Sequence, residues 1–274
     1  MNSELKKRIA TALVGALVLL LIIIYGGRLG IFAISTIVSV GMVNEFAQIT
    51  FSLKDRWVKR YLVLGLAGFV ALGSLLAPRT DFELLIICFS TLFIYFLVSA
   101  RHHEEIDFSE HFKELMFAFF GLLYLSFIPV YLQKIHEMPD GVNWTIFFLF
   151  IVWANDIGAY FAGKKFGRTK LYEKISPKKT VEGAIGGLAS GVLIALLYKV
   201  VIFRGAAFIS TVIFLPLVVG FFAQVGDLCE SFLKRAFGTK DSGSILPGHG
   251  GFLDRFDGVV FSLPVMYAFI RILG

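Results

Sequence analysis

Nine stretches of the chain are almost unbroken runs of apolar residues, and polar side chains are largely confined to the segments between them. The runs lie at Ile9–Tyr25, Leu29–Val43, Tyr61–Ala77, Phe82–Ala100, Leu115–Leu132, Val142–Gly163, Ala184–Phe203, Ala206–Gly226 and Gly258–Leu273. A helix of roughly 20 predominantly apolar residues crosses the hydrocarbon of a bilayer, and each run meets or approaches that length. Lipid offers the backbone no hydrogen-bond partner, so a spanning segment must be a helix or a strand of a closed barrel. These runs lack the alternating pattern of barrel strands. The pattern therefore predicts an all-α polytopic integral membrane protein with about nine transmembrane helices.

Composition strengthens that reading. Of 274 residues, 57% are hydrophobic, 30 are phenylalanine and 17% are charged, with a mean hydropathy of +0.79. An ordinary soluble domain lies far from these values. Lys6, Lys7 and Arg8 precede the first run as in a signal peptide, but no small-residue cleavage site follows, so an uncleaved first helix is expected. No internal repeat or composition shift divides the chain, and a single membrane domain over 1–274 is expected, with mainly N-terminal membrane helices over 1–140 and the more polar half over 141–274.

The net charge of +6 raises the question of a nucleic-acid partner, but the placement of the basic residues answers it otherwise. With the N-terminus in the cytoplasm, 20 of the 26 Lys and Arg residues fall in the cytoplasmic segments, leaving Arg28, Arg79, Lys134, Lys199, Arg204 and Arg271 on or near the other side. That asymmetry is the positive-inside signature of a membrane protein, and no nucleic-acid partner is expected. Cys88 and Cys229 offer neither a disulfide pair nor a zinc-ligand spacing and read as packing residues. The segments Asn44–Arg60 and Arg101–Glu114, with His102, His103 and His111 among acids, read as solvated surface segments.

Beyond residue 141 the polar residues crowd into two connections and the helix ends leading to them. Asp156 lies about seven residues before the expected end of its span, where a charge facing hydrocarbon costs about 2.5 to 3.5 kcal/mol; it must face protein, water or an ion. The segment Lys164–Gly183, "KKFGRTKLYEKISPKKTVEG", holds seven basic residues. Ser176 and Pro177 predict a turn or helix start that leaves Lys178, Lys179 and Thr180 beside an incoming helix N-terminus, a setting suited to phosphate oxygens. Gly183, Gly187 and Gly191 recur every fourth residue and predict close helix packing.

In the other connection, Asp227, Glu230, Ser231 and Lys234 have the i, i+3, i+4, i+7 spacing of one helix face. Asp254 and Asp257 follow one turn apart at the start of the last run, beyond a loop containing Gly248, His249, Gly250 and Gly251. Carboxylates suit Mg²⁺, which also takes substrate phosphates as ligands. Lys and Arg neutralise the remaining phosphate charge, and glycines admit close approach of backbone to ligand. The mixture predicts a metal–phosphate site.

The 27-residue stretch "SFLKRAFGTKDSGSILPGHGGFLDRFD", Ser231–Asp257, resembles the signature of the phosphatidate cytidylyltransferases, or CDP-diacylglycerol synthases. Ser231, Lys234, Arg235, Lys240, Asp241, Gly243, Leu246, Pro247, His249, Gly250, Gly251, Asp254, Arg255 and Asp257 occupy its places. The segments "GDLCES", "SPKKTVEG" and "ANDIGAYFAGKKFGRTK" are similar to the family as well, so the resemblance covers roughly the C-terminal half.

It implies transfer of a cytidylyl group from CTP to phosphatidic acid with Mg²⁺, one ion or a pair, giving CDP-diacylglycerol and pyrophosphate at the cytoplasmic face of a bacterial inner membrane. Asp227 and Asp254 are implied as the leading metal ligands, with Glu230 and Asp257 next. Lys178, Lys179, Lys234, Arg235, Lys240, Asp241, His249 and Arg255 are implied as catalytic or phosphate-contacting groups. Asp156, Ser176, Ser231, Gly250 and Gly251 are implied in substrate binding. Membrane lipids and a homodimer are the further partners expected at family level. An ion-coupled multi-span transporter, with Asp156 in an ion pathway, is the alternative, although the polar groups gather at one face and not at a midplane.

Overall fold

The computed structural model describes residues 3–51, 56–77, 79–101, 107–203, 210–243 and 250–273. Ten α-helices are present among them: α1 Ser3–Tyr25, α2 Gly27–Thr50, α3 Arg56–Leu76, α4 Asp81–Arg101, α5 Phe108–Leu125, α6 Ile128–His136, α7 Gly141–Phe166, α8 Val181–Tyr198, α9 Leu215–Ala236 and α10 Leu253–Leu273. Seven helical segments are long and apolar enough to cross a membrane; one of them runs through α5 and α6 together, from Phe108 to His136. The first sequence-predicted run, Ile9–Tyr25, falls in α1. The ninth run falls in α10, whose first turns carry Asp254, Arg255 and Asp257.

The chain divides into two compact units. One comprises residues 1–27, 134–240 and 254–274, and the other comprises residues 28–133 and 241–253.

In the first unit, α7 and α8 pack along a face of small residues. Gly183, Gly187 and Gly191 are all buried, as their spacing predicts. A Cβ added at Gly187 would stand 2.7 Å from the carbonyl oxygen of Asn155 and 2.9 Å from Nε2 of Gln224, and one at Gly183 would stand 2.9 Å from the carbonyl oxygen of Ala159. Dispersion forces and close backbone approach hold helices together where lipid removes the hydrophobic drive. The same device joins α9 to α10: a Cβ at Gly226 would stand 2.5 Å from the carbonyl oxygen of Asp257, and one at Gly258 would stand 3.2 Å from that of Ala223.

Between α7 and α8 the chain forms a two-stranded antiparallel ribbon, β1 Lys170–Tyr172 and β2 Ser176–Thr180. "SPKKT" is thus a strand and not the turn that Ser176 and Pro177 suggest. Pro177 is tolerated because a two-stranded ribbon has only edge strands, whose outer N–H groups need no ladder partner. The helix starts only after the strand, at Val181: Thr180 caps α8, its hydroxyl accepting from Gly183 N–H at 3.1 Å.

In the second unit, Ser39 on α2 donates to the carbonyl of Leu125 at 2.8 Å. Lys59 on α3 forms a buried ion pair with Glu114 on α5, and its ammonium lies 5.8 Å from the ring centroid of Phe96. His111 Nε2 lies 2.8 Å from the carbonyl oxygen of Phe96 and 3.0 Å from the hydroxyl of Ser99. These contacts correct the expectation of solvation for Lys59, His111 and Glu114; Arg101, Asp107, Glu110 and Lys113 are exposed as expected. The pairing of Lys59 with Glu114 joins the two segments and is invisible in either alone. His102 and His103 lie outside the described residues. Cys88 is buried, Cys229 half-buried, and both are free thiols, in keeping with packing roles.

Replacing Gly187 by leucine forces α7 and α8 apart. Overpacking of this kind costs about 1 to 3 kcal/mol or more, so Gly187→Leu is expected to lower the thermal midpoint of the detergent-solubilised protein, whereas the neighbouring exposed Ile185→Leu leaves it unchanged. Equal midpoints for the two variants would refute the close-packing role.

Candidate active site

The site lies in the first unit, where α7, α8, α9, α10 and the β-ribbon supply its side chains. A cavity of about 390 Å³ is lined by Asp156 and Tyr160 of α7, Lys178 and Lys179 of β2, and Gln224 and Asp227 of α9. Gly163 and Gly183 form part of its wall. The position of Asp156 meets the requirement set by its sequence context: its carboxylate faces a polar cavity, within electrostatic reach of Asp227, Lys179 and Arg255.

Next to the cavity three carboxylates converge. One oxygen from each of Asp227, Glu230 and Asp257 lies within 4.8 Å of the other two. Helical spacing puts Asp227 and Glu230 on one face of α9, and the glycine contact at Gly226 brings the backbone of Asp257 directly against that face. Asp257 also accepts from Gly258 N–H at 2.7 Å. Gathering like charges in a poorly hydrated place is unfavourable unless cations balance them.

Two lysines do part of that. Lys179 reaches Asp227 at 2.5 Å. Lys234, one turn beyond Glu230, lies 2.8 Å from Glu230 and 2.6 Å from Asp254. Glu230 is 2% exposed, so its pairing with Lys234 is a structural necessity and not a solvated surface contact. The remaining excess of negative charge, presented as hard oxygen donors only, matches the preference of Mg²⁺ for carboxylates with room left for phosphate oxygens.

The sequence-predicted residues fall into three groups. Asp156, Lys178, Lys179 and Asp227 meet around the cavity, and Glu230, Asp257, Lys234 and Asp254 extend from it as one charged network. Asp254 stands on Lys234, while Asp257 joins the carboxylate trio. A second group is in the same unit but does not line the cavity: the Nε of exposed Arg235 donates to the carbonyl of Ile175 at 3.4 Å, Lys240 is exposed, Arg255 is exposed with its charge in reach of Asp156, Ser231 is half-buried on α9, and Ser176 begins β2. The third group, Asp241, Gly250 and Gly251, belongs to the other unit, with Asp241 exposed and Gly251 buried. His249 lies outside the described residues.

Four residues that the sequence reading passed over contribute. Gln224 donates both to Oδ1 of buried Asn155 and to the carbonyl of Ala184, each at 2.9 Å, linking α7, α8 and α9 at the cavity wall. Polar amides inside apolar runs, one residue before Asp156 and three before Asp227, were the available signal. Glu182 accepts from the amides of Arg168 and Thr169 at 3.0 and 3.1 Å, and Val181 N–H donates to the carbonyl of Thr169 at 2.9 Å. These bonds anchor the start of the ribbon that carries Lys178 and Lys179. Glu45, described below, had no sequence signal beyond lying at the polar end of an apolar run.

The chain's likeness to known proteins bears on this arrangement. Residues 6–273 match the model of the cytidylyltransferase family. The chain is 34% identical to a phosphatidate cytidylyltransferase of Thermotoga maritima, over 98% of this chain and 97% of the relative. It is 30% identical to a phosphatidate cytidylyltransferase of Bacillus subtilis over 99% of each, and 34% identical to one of Staphylococcus aureus over 96% of this chain and 97% of the relative.

Breaking a buried ion pair from one side costs about 3 to 5 kcal/mol, because an uncompensated charge stays behind. Lys234→Met is therefore expected to destabilise the protein by about that amount in thermal or denaturant unfolding, and adding Glu230→Gln to it restores much of the loss. A single variant as stable as the parent would show that the lysine does not hold the acids in place.

Proposed function

The chain belongs to the cytidylyltransferase family, and from that membership and the polarity of its cavity we propose that it transfers the cytidylyl group of CTP to phosphatidic acid. A phosphate oxygen of phosphatidic acid attacks the α-phosphorus of CTP, the bond from that phosphorus to the β-phosphate bridging oxygen breaks, and CDP-diacylglycerol and pyrophosphate form. The observation that carries the reading is the convergence of Lys178, Lys179, Asp156 and Asp227 on one cavity beside the Asp227–Glu230–Asp257 trio.

The second pKa of a phosphate monoester is about 6, so the attacking oxygen of phosphatidic acid is already largely deprotonated near neutrality and needs no general base. The obstacle is repulsion between two polyanions. Lys178 and Lys179 offer cationic contacts to the phosphates from the strand that enters the cavity, and the N-terminus of α8 adds its dipole. Holding both substrates in line replaces a bimolecular encounter by a positioned one. Asp227, Glu230 and Asp257 would hold Mg²⁺, which supplies Lewis-acid neutralisation of phosphoryl oxygens when bound. Asp254 keeps Lys234 against Glu230 and so fixes the trio's geometry from behind.

The concentration of Lys and Arg in the segments that include the β-ribbon supports a cytoplasmic site, where CTP arrives from water and the diacyl lipid from the leaflet. The apolar helices support residence in the bacterial inner membrane, with membrane lipids as its surroundings, and a homodimer is the assembly we expect.

Purified protein given labelled CTP, phosphatidic acid and Mg²⁺ is expected to form labelled liponucleotide. Asp257→Asn should lower turnover by roughly 10² to 10³, the scale of losing a main electrostatic contributor, with little change in thermal midpoint. Absence of labelled lipid from the folded parent protein would overturn the assignment, and parent turnover in Asp257→Asn would remove Asp257 from the machinery.

A further inference from the structure

We infer that Glu45 is a positioning residue whose carboxylate ties Ser242 and Gly243 to Gly251, Phe252 and Leu253, on either side of the signature's glycine-rich stretch. Its role in turnover rests on the cytidylyltransferase reading; its role in tying these two segments together does not. Glu45 lies on α2 and is 1% exposed. Its Oε1 accepts from the amide of Phe252 at 3.0 Å, and its Oε2 accepts from the amide of Leu253 at 2.9 Å and from the hydroxyl of Ser242 at 3.1 Å. The two segments therefore meet on one side chain.

The donors explain why a carboxylate is needed. Phe252 and Leu253 supply amides at the start of α10, where no preceding turn offers acceptors, and negative charge is favoured at that end of a helix. A carboxylate presents acceptors alone on both oxygens, whereas an amide would turn its NH₂ toward an N–H or hydroxyl donor. The loop's composition fits the same contact. A Cβ added at Gly243 would stand 2.7 Å from Oε1, and one at Gly251 would stand 2.7 Å from Cδ of Glu45. One turn earlier on α2, Gly41 receives the ring of Phe252: a Cβ there would be 2.6 Å from its Cδ2. Two glycines of the signature thus make room for Glu45.

Glu45 acts through the chain it holds. Lys240 and Asp241 stand just before Ser242, and Asp254 directly follows Leu253. Fixing Ser242 and Leu253 sets where these charged residues leave the loop. Misplacing a group by about 1 Å costs on the order of 10²-fold in rate.

The test uses the full-length protein in detergent with Glu45→Gln and Glu45→Asp. Glu45→Gln preserves size but confronts donors with a donor. It is expected to lower kcat roughly 10- to 100-fold while KM for CTP changes little, and to speed hydrogen exchange in the peptide covering residues 250–256. Glu45→Asp restores an acceptor-only group one methylene back and is expected to regain part of the lost kcat and part of the exchange protection. Parent kcat and parent exchange in Glu45→Gln would overturn the inference, as would Glu45→Asp performing no better than Glu45→Gln. Should Glu45→Gln not fold, Glu45→Asp carries the test: faster exchange and lower kcat than the parent support the role, and parent values for both overturn it. The exchange measurement needs no substrate, so faster exchange in Glu45→Gln alongside a folded parent without turnover would defeat the enzymatic reading and leave the tie between the two segments standing.

Discussion

The site depends on neutralising acids that the helix packing forces together. Asp227, Glu230 and Asp257 are brought within 4.8 Å because Gly226 lets α10 press its backbone against α9. With Glu230 buried and the other two half-buried, that arrangement is repulsive by itself, and Lys179 and Lys234 offset part of it. What remains is a surplus of negative oxygen donors beside a cavity with cationic walls. A divalent cation accompanied by phosphate would balance that surplus, which is the basis of the proposed metal site.

Close packing and charge placement are one design. Small residues along α8 hold it to α7, and Gln224 ties the same pair to α9 through Asn155 and Ala184. The helices that carry Asp156, Asp227 and the N-terminus behind Thr180 are thereby tied to one another within the unit. The β-ribbon, anchored by Glu182, then delivers Lys178 and Lys179 to the cavity from outside the apolar layer.

What could be read in advance was local. The helical phase of Asp227, Glu230 and Lys234 needs only 3.6-residue periodicity, and the pair Lys234–Glu230 at 2.8 Å follows from it. The four-residue glycine spacing likewise announced a packing face. What escaped depends on contacts between distant parts of the chain. Glu45 and Leu253 are 208 positions apart, and nothing around Glu45 distinguishes it from a solvated end-of-helix acid. The division of labour between Asp254 and Asp257 was also hidden: both lie one turn apart at a helix start, and only the approach of Gly226 and the reach of Lys234 send one to the trio and the other to the lysine. "SPKKT" misled because Pro suggests a turn, whereas a two-stranded ribbon has free edges that accept it.

The central claim, that the carboxylate trio is a divalent-cation site created by helix packing, is most directly tested by electron paramagnetic resonance titration of Mn²⁺ into the detergent-solubilised protein without nucleotide. A saturable bound population in the parent, lost when Asp227→Asn and Asp257→Asn are combined in a protein that still melts cooperatively, is the predicted result. Equal Mn²⁺ binding by parent and double variant would contradict it.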